Sequence, residues 1–437
     1  MPETLERTET RAGDRPQAAP WQFYENMSHP RWESREDWRR EALRRKAGDD
    51  RWVEFLAEHT EGAKRRHKRV DRRKRAVRWA WREAYRNAGG GEVKPPRIAE
   101  CGKAAFKRGS VDVVMTPDPK TGSYIGGGTA IRQRMSCGNV WTCPTCSPKI
   151  RAAREKEITQ GVGNHMRAGG GVLMATFTVS HNKGDALADL LAILQGAFSD
   201  MANRRAFRDL MADYGVVGRI RALEVTYGPQ HGWHPHFHAL VLTEKPLDAH
   251  EVEALRSELF ELWATHTAGR GGHINAHGLD LQVARNATAA GRYIAKELTD
   301  AADAKTGNGS VTPFQLLDSD TPRNERLWAE YAGAMRGKRA ILWSRGLRDA
   351  LGLGRAETDA ELADDGNAPR DGDILVARVS REVWNRYRNS AALIDAVALE
   401  VMAGDYDRAA ELLRCQWEMR ADGSGNTWAF FCSRRLE

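Results

Sequence analysis

The chain has 437 residues, of which 41% are hydrophobic, and its 67 Lys and Arg against 59 Asp and Glu give a formal net charge of +8. The length suits two or three domains with a buried core, and the basic balance favours an acidic polymer as partner. No apolar run approaches bilayer length and the first residues are polar and charged, so we predict no membrane span and no signal peptide, and we expect a cytoplasmic protein.

The N-terminal region is predicted to be a basic arm over residues 1–96. Residues 1–20 are polar and lack periodicity, which indicates disorder, whereas residues 31–87 have helical composition. The glycines and prolines of 88–96 end any helix and mark the boundary of the arm.

The basic excess of the arm lies in one run, and aromatic residues follow it at 79–85. Cations of this kind bind the phosphate backbone, and aromatic rings can stack on unpaired bases. We therefore predict a DNA-binding surface, with a merely solvated basic helix as the alternative. The predicted contacts are Lys64, Arg65, Arg66, Lys68, Arg69, Arg72, Arg73, Lys74, Arg75 and Arg78.

Four cysteines in the segment 97–170 are spaced as ligands of a structural metal. Two of them are separated by two residues, the third lies six residues earlier and the fourth lies further upstream. Four thiolates suit tetrahedral Zn²⁺, and a reducing cytoplasm disfavours a disulfide pair; unlinked core cysteines are the other alternative. The predicted zinc ligands are Cys101, Cys137, Cys143 and Cys146. Cys415 and Cys432 are interpreted as ordinary thiols.

A succession of strands and helices follows this segment. Three glycines open an apolar run at 172–179 that is typical of a buried strand. The run 185–214 carries apolar residues at helical spacing, and residues 250–266 are also predicted to be helical. Strands covered by helices in this way indicate a mixed α+β layer.

Two strand-like runs on either side of turn residues at 228–232 predict a β-hairpin. His236 and His238 share one strand face, and two imidazoles at this spacing can chelate a divalent cation that polarises a phosphoryl oxygen. With the turn centred near His231, Glu224 lies across from His238 and supplies a third ligand. The alternatives are histidines held by ordinary hydrogen bonds and a Glu224 in a surface ion pair.

The segment 289–298 has helical composition and presents a tyrosine beside a cation. Tyr293, Lys296 and Glu297 fall on one helix face at spacings of three and four residues. A phenol is mostly protonated at neutral pH, so a nucleophilic tyrosine needs a base, a metal or a positive charge such as Lys296. Taken alone, the pattern is more typical of packing with a solvated rim.

The order of these motifs resembles one protein family. An apolar strand, then His-Phe-His on a strand, then Tyr-x-x-Lys on a helix is similar to the HUH endonucleases. The cysteine cluster and the segments 312–317 and 343–348 add to the likeness. Within that family the chain resembles the rolling-circle replication initiators of small bacterial plasmids, especially those of actinomycetes, from about Cys101 to Gly354.

The resemblance implies a fold and a chemistry. The fold is an antiparallel, ferredoxin-like sheet with helices on one face and the metal on its open face. His236 and His238 would bind Mg²⁺ or Mn²⁺, Tyr293 would attack the scissile phosphate and Lys296 would offset negative charge. The products would be a 5′-phosphotyrosyl link and a free 3′-hydroxyl.

The residue that ends the reaction cycle departs from the family pattern. Some related initiators carry a glutamate one turn before the tyrosine, where it activates a water. Here that position is Ala289, and Glu297, one turn after Tyr293, is the nearest substitute.

The rest of the chain predicts little chemistry. The stretch 357–373 is acidic and contains glycine, as a linker does, residues 374–379 are typical of a strand, and residues 390–415 are expected to form two helices. The predicted domains are the arm at 1–96, the zinc-bearing segment at 97–170, the endonuclease core at 171–354, and a linker with a small C-terminal module at 355–437.

Together these observations predict a plasmid replication initiator that nicks and joins an exposed single strand of its own origin. The expected partners are origin DNA, single- and double-stranded, a host polymerase and, because no phosphate-binding loop is visible, a host helicase. Only one good tyrosine motif is visible, so a second subunit in a homodimer is one route to strand closure. The alternatives are a conjugative relaxase, a single-tyrosine transposase and a non-catalytic, zinc-containing DNA-binding regulator.

Overall fold

The computed structural model describes residues 61–89, 91–104, 109–116, 128–295, 309–365, 370–390, 405–421 and 428–435, together with positions 368, 393, 396, 397 and 400. The disorder expected at 1–20 and the first half of the helical region expected at 31–87 lie outside these residues, and so do Lys296 and Glu297. Among the described residues, no helix is both long and apolar enough to cross a membrane.

Strands and helices alternate along the described chain. The strands are β1 (Ser110–Thr116), β2 (Gly128–Arg132), β3 (Gly171–Thr178), β4 (Val216–Gly228), β5 (Gly232–Thr243), β6 (Leu279–Val283), β7 (Ile341–Trp343), β8 (Ile374–Ser380), β9 (Cys415–Ala421) and β10 (Trp428–Arg435). The helices are α1 (Glu61–Ala88), α2 (Cys146–Arg167), α3 (Leu187–Asn203), α4 (Arg205–Asp213), α5 (Ala249–Ala268), α6 (Ala287–Ala295), α7 (Pro322–Ala334), α8 (Leu347–Ala350), α9 (Asp359–Asp365), α10 (Arg381–Tyr387) and α11 (Tyr406–Leu413). Short 3-10 helices lie at Arg97–Glu100 and Pro313–Asp318.

Two predicted elements differ from those in the structure. The helical run expected at 185–214 is divided into α3 and α4, because Arg204 adopts an extended backbone with φ −81° and ψ 148° between them. The acidic stretch expected to be a linker contains α9. Its first turn is capped by Thr358, whose hydroxyl accepts a hydrogen bond from the backbone N–H of Glu361.

The described residues form two compact units. The terminal unit contains residues from 61–71, 100–136 and 364–437, and the central unit contains 72–99 and 137–363. This division differs from the four domains expected from the sequence, because β1 pairs with β8 and joins two regions far apart in the chain. Such a non-local pairing leaves no local pattern in the sequence.

The central unit is built on an antiparallel sheet with strand order β6-β3-β5-β4-β7. β4 and β5 form the predicted hairpin, in which Gly228 pairs with Gly232. This register places Glu224 opposite His236 and not opposite His238, so the expected register is corrected by two residues. Glu224 lies on the expected face of the sheet, because a shift of two residues preserves the alternation of side chains.

One face of the central sheet is covered by α3 and α5. Phe177 and Phe237 point to this face and meet Phe198 of α3, with ring centroids 5.2 and 5.4 Å away. Trp263 of α5 packs edge-on against Phe177 at 5.4 Å. Each such aromatic pair contributes roughly 0.5–1.5 kcal/mol beyond its burial, so these rings fix the helices on the sheet.

The opposite face of the central sheet has an apolar half and a polar half. Leu240 and Leu242 of β5 lie in one core cluster with Ile158 of α2 and Ile294 of α6. Helices therefore cover both faces, which corrects the expectation of helices on one face only. The reason is that the apolar half of this face must be shielded from water, whereas the half that carries His236 stays polar.

The terminal unit has a second sheet with strand order β2-β1-β8-β10-β9, in which β8 and β10 are parallel and the other neighbours antiparallel. Its core packs Val113, Val379 and Phe430 of the sheet with Trp384 of α10 and Leu413 of α11. The strand predicted at 374–379 is β8. The protein is therefore of the α+β class, with largely antiparallel sheets.

Cys415 and Cys432 form a disulfide between β9 and β10, with Cα atoms 6.0 Å apart. This corrects the expectation that both are ordinary thiols. The antiparallel pairing of β9 with β10 brings together two cysteines 17 positions apart in the chain, a proximity that their spacing alone does not reveal.

Candidate metal and nucleophile site

Three ligand-type side chains meet on the polar half of the central sheet: Glu224 on β4 and His236 and His238 on β5, here called the triad. The hairpin that carries them needs a glycine at its turn. Gly232 has a φ of +83°, and a Cβ there would lie 2.9 Å from the Cα of Lys183. This glycine therefore allows the tight turn that fixes the register of the triad.

The donor atoms of the triad converge on one point. Glu224 Oε2 lies 2.7 Å from His238 Nε2 and 3.2 Å from His236 Nε2, and the two Nε2 atoms are 3.1 Å apart. Adjacent donors around an octahedral cation with bonds of about 2.1 Å stand about 3.0 Å apart. The spacing of the triad therefore fits three adjacent ligands of one divalent cation, with the remaining positions open to water or phosphate oxygen.

The second ring nitrogen of each triad histidine has a hydrogen-bond acceptor. His236 Nδ1 lies 3.3 Å from the carbonyl oxygen of His234, and His238 Nδ1 lies 3.3 Å from Thr176 Oγ1. A neutral imidazole that binds a cation through Nε2 carries its hydrogen on Nδ1 and donates it to such an acceptor. Both rings are therefore in surroundings that suit a metal ligand.

Among the described residues, the side chains that pair with Glu224 are imidazoles. Burial alone would raise the pKa of this carboxyl, but the charges and hydrogen bonds of His236 and His238 bring its pKa well below the usual range. Glu224 is 9% exposed, and among the described residues no Lys or Arg pairs with it. Because imidazoles lose their charge near neutral pH, a bound cation would complete the charge balance of the site.

Tyr293, the predicted nucleophile, lies on α6 beside the triad. Its hydroxyl oxygen is 2.5 Å from Thr176 Oγ1, and its ring centroid is 4.6 Å from that of His238. α6 lies close against α2 at Gly291, where a Cβ would be 2.0 Å from Thr159 Oγ1. Burial raises the pKa of Tyr293, and the hydrogen bond with Thr176 opposes this rise. The structure thus brings the predicted tyrosine next to a predicted ligand.

Two side chains at the site carried no clear signal in the sequence. Thr176 lies directly opposite His238 on β3, and His181 Nε2 lies 2.7 Å from His234 Nδ1. Burial lowers the pKa of His234 to about 3 and also lowers the pKa of His181. This neutral pair continues the row of imidazoles along β5. Only the register of β3 against β5 reveals Thr176, because a threonine in a strand is otherwise ordinary.

The four predicted zinc ligands, Cys101, Cys137, Cys143 and Cys146, are all buried, and their sulfur atoms lie within 4.8 Å of one another. The Sγ atoms of Cys137 and Cys146 are 3.7 Å apart. Two thiolates on a tetrahedral Zn²⁺ with Zn–S bonds near 2.3 Å stand about 3.8 Å apart. The backbone N–H of Cys146, the first residue of α2, also donates to Cys143 Sγ at 3.4 Å. This group can therefore bind a structural metal such as zinc.

The ten predicted DNA contacts all lie on α1, and some of their side chains are bound within the protein. Arg72 forms a bidentate pair with Asp318, at 2.6 and 2.7 Å, and is 5% exposed. Arg75 donates to the backbone carbonyl oxygen of Leu317, and Arg78 pairs with Asp320. Arg72 and Arg75 therefore hold α1 against residues 317–318, a role that the basic composition did not predict.

The other predicted DNA contacts differ in exposure. Arg73 is buried and Lys74 is exposed. Lys68 and Arg69 are partly buried. The side chains of Lys64, Arg65 and Arg66 lie outside the described part of the structure.

Comparison with known proteins gives one family. The family model described as "Replication protein" matches residues 129–267, a span that includes the whole triad. A protein of Streptomyces lividans named "Protein rep" is 32% identical over 383 residues, which cover 67% of this chain and 82% of that protein.

A second relative matches a shorter stretch. A "Neomycin resistance protein" of Streptomyces cyanogenus is 36% identical over 132 residues, which cover 25% of this chain and 30% of that protein. No solved structure matches the chain. Because the likeness to the S. lividans protein extends over most of both sequences, the chain belongs to the replication protein family and is a plasmid replication initiator.

Proposed function

We propose that this initiator nicks and rejoins a single DNA strand at the origin of its plasmid, with Tyr293 as the nucleophile and the triad as a divalent-cation site. The observation that carries the proposal is the convergence of the triad's donor atoms on the sheet face where the Tyr293 hydroxyl lies. The resemblance to the HUH endonucleases supports the same roles. The core that performs this chemistry would be 171–354.

Glu224, His236 and His238 would hold Mg²⁺ or Mn²⁺, which when bound polarises the scissile phosphate and offsets its charge. Of the two cations, Mn²⁺ is the better match for nitrogen ligands. Lys296 would offset further negative charge on the phosphate or the phenolate, and Glu297 would activate the water that ends the cycle.

The reaction would be a transesterification. The Tyr293 oxygen attacks phosphorus and loses its proton, the bond between phosphorus and the 3′ oxygen breaks, and that oxygen takes up a proton. The 5′ end remains on Tyr293, and the free 3′-hydroxyl can be extended by a polymerase. In the reverse direction a 3′-hydroxyl attacks the phosphotyrosyl phosphorus, so rejoining needs no nucleotide cofactor.

The family implies that the chain binds plasmid origin DNA. We propose that the cations of α1 between Lys64 and Arg78 contribute to that binding, on double-stranded and single-stranded DNA. A host polymerase, a host helicase and a second copy of the chain are proposed as further partners, and the cytoplasm as the compartment.

A structural Zn²⁺ on the four cysteines is proposed from their sulfur spacing. Elemental analysis of the purified protein should give one zinc per chain, and Cys143→Ser/Cys146→Ser should lower both the zinc content and the Tm. Zinc-free protein with the Tm of the zinc-bound form would contradict this assignment.

Incubation with labelled single-stranded origin DNA and Mg²⁺ or Mn²⁺, followed by denaturing electrophoresis, tests the nicking proposal. The wild type should form a covalent protein–DNA adduct, and Tyr293→Phe and His236→Ala/His238→Ala should bind DNA without forming it. Tyr214→Phe, which removes the hydroxyl of a half-buried tyrosine hydrogen-bonded to Glu258, is the matched control and should form the adduct. No adduct with binding intact throughout would favour a non-catalytic regulator, and cleavage confined to a transfer origin would favour a relaxase.

A further inference from the structure

Thr176 connects a proposed metal ligand to the proposed nucleophile. It lies on β3, directly opposite His238 on β5, with its side chain on the face of the triad. Its hydroxyl oxygen is 3.3 Å from His238 Nδ1 and 2.5 Å from the Tyr293 hydroxyl oxygen. One hydroxyl group therefore links Tyr293 to the triad through two hydrogen bonds.

The donor and the acceptor of each of these two hydrogen bonds follow from the hydrogens that His238 and Thr176 carry. His238 points Nε2 at the other two triad residues, so as a neutral metal ligand it carries its hydrogen on Nδ1. That hydrogen is donated to Thr176 Oγ1. The hydroxyl of Thr176 then has one hydrogen of its own, and Tyr293 Oη is the second atom within hydrogen-bond distance of it.

We propose that Thr176 is a positioning residue that accepts a hydrogen bond from His238 and donates one to Tyr293. The inference rests on the proposed nicking function. In this arrangement the hydroxyl of Thr176 fixes the His238 ring with Nε2 towards the cation. It also holds the Tyr293 oxygen in place and stabilises the negative charge that develops on it during attack.

The proposal makes specific demands on the side chain at 176. Valine has the branched shape of threonine but no hydroxyl, so Thr176→Val removes both hydrogen bonds and leaves the strand packing nearly unchanged. Serine keeps the hydroxyl, so Thr176→Ser should preserve both. Thr178→Val is the matched control, since Thr178 lies on the same strand and face, opposite His236, and its hydroxyl donates to the backbone oxygen of His277.

Three quantities measured on the full chain test the proposal: the affinity for Mn²⁺ without DNA, the affinity for single-stranded origin DNA, and the single-turnover rate of adduct formation at saturating DNA. For Thr176→Val we expect the Mn²⁺ affinity and the adduct rate each to fall about 10- to 100-fold, as when a metal ligand is deprived of its hydrogen-bond partner. DNA affinity should not change. Thr176→Ser and Thr178→Val should resemble the wild type in all three.

Wild-type Mn²⁺ affinity and adduct rate in Thr176→Val would overturn the role of Thr176, and so would an equal loss in the serine variant. A wild type that binds Mn²⁺ but forms no adduct would instead contradict the nicking proposal. In that case the Mn²⁺ affinities of the valine and serine variants would still decide whether Thr176 supports His238.

Discussion

The two sheets of this molecule each carry a row of ionisable side chains across one face, but different groups balance the carboxylate charge in the two rows. On the terminal sheet, Asp112 lies opposite both Arg132 and Arg378, and its carboxylate pairs with Arg378 at 2.5 Å. Arg132 in turn pairs with Asp373 at 2.7 Å, and the side chains of that pair are each 6% exposed. Every carboxylate named in this row meets a guanidinium group.

On the central sheet the partners of the carboxylate are imidazoles. Guanidinium stays charged at any ordinary pH and has no lone pair to offer, whereas a neutral imidazole is a donor for metals. The terminal row is therefore complete as it stands and serves the fold. The triad, Glu224 with His236 and His238, points an ionised carboxylate and two imidazole nitrogen atoms at one place, which is what a cation requires.

Removing one carboxylate from each row should give the largest difference in stability between a variant of one sheet and a variant of the other. Asp373→Ala removes the carboxylate that pairs with the buried Arg132, and should lower the free energy of unfolding by about 3–5 kcal/mol. Glu224→Gln at pH 8, without added Mg²⁺ or Mn²⁺, should change it by only about 1 kcal/mol, because the two histidines can stay neutral. Urea unfolding measured at that pH compares the two variants with the wild type.

The same two variants also distinguish a carboxylate that binds a cation from one that only stabilises the fold. Glu224→Gln should weaken Mn²⁺ binding strongly, while Asp373→Ala should leave it at the wild-type value. If Glu224→Gln destabilised the protein as much as Asp373→Ala, the triad would be a structural row like that of the terminal sheet.

Acidification should affect the imidazole row through His234. Burial, with the nearby His236 and His181, lowers the pKa of His234 to about 3, whereas an unfolded histidine titrates near 6.5. The unfolded state therefore binds the proton first, and the stability present above pH 6.5 is lost as the pH falls towards 3. The loss should approach 1.4 kcal/mol per pH unit for this one group.

Urea unfolding at pH 7.5 and pH 5.5 measures this loss. Between these two pH values the wild type should lose about 1.4 kcal/mol more than His234→Gln, because the unfolded histidine takes up its proton in this range and the folded one does not. His181→Gln is the companion variant, since the pKa of His181 is also lowered by burial. An identical pH dependence in the wild type and His234→Gln would show that His234 is not buried as a neutral group.

Ion pairs at the surface should have the smallest effect. Arg82 and Glu325 pair at 2.5 Å with side chains 54% and 17% exposed, and Arg78 pairs with Asp320. Replacing both arginines with glutamine should change the free energy of unfolding by less than about 1 kcal/mol per pair.

DNA affinity measured against salt concentration tests which cations of α1 meet phosphate. Lys64→Gln/Arg65→Gln/Arg66→Gln should lower the salt slope by about 0.7–0.9 for each phosphate that the variant no longer neutralises, similarly for all sequences. Arg78→Gln/Arg82→Gln should lower it less, because both arginines already pair with carboxylates. The assignment would be reversed if Arg78→Gln/Arg82→Gln lowered the salt slope by the full amount per residue and the triple variant left it unchanged.

The sequence predicted the hairpin and the face of each triad residue, because strand alternation is a local property. It did not predict the register. The turn closes at Gly228 and Gly232, so its centre lies one residue earlier than expected, and Glu224 lies directly opposite His236 in the strand pairing. Parity alone cannot distinguish two registers that differ by two residues.

Contacts between distant parts of the chain left no such local pattern. Thr176 and Tyr293 are 117 residues apart, and Arg72 and Asp318 are 246 apart. A run of arginines has the same composition whether its side chains bind DNA or hold a helix in place. For the same reason the second sheet could not be predicted, since β1 finds its partner β8 only in the folded chain.

Peptide mapping of the covalent adduct tests the central claim most directly. Wild-type protein that has reacted with labelled single-stranded origin DNA in Mn²⁺ is digested with trypsin, and the peptide that carries the DNA is identified by mass spectrometry. Cleavage after Arg292 and Lys296 should release the peptide 293–296 with the 5′-phosphate on Tyr293. Phosphate on another residue, or cleaved DNA with a free 5′-phosphate and no adduct, would contradict the account.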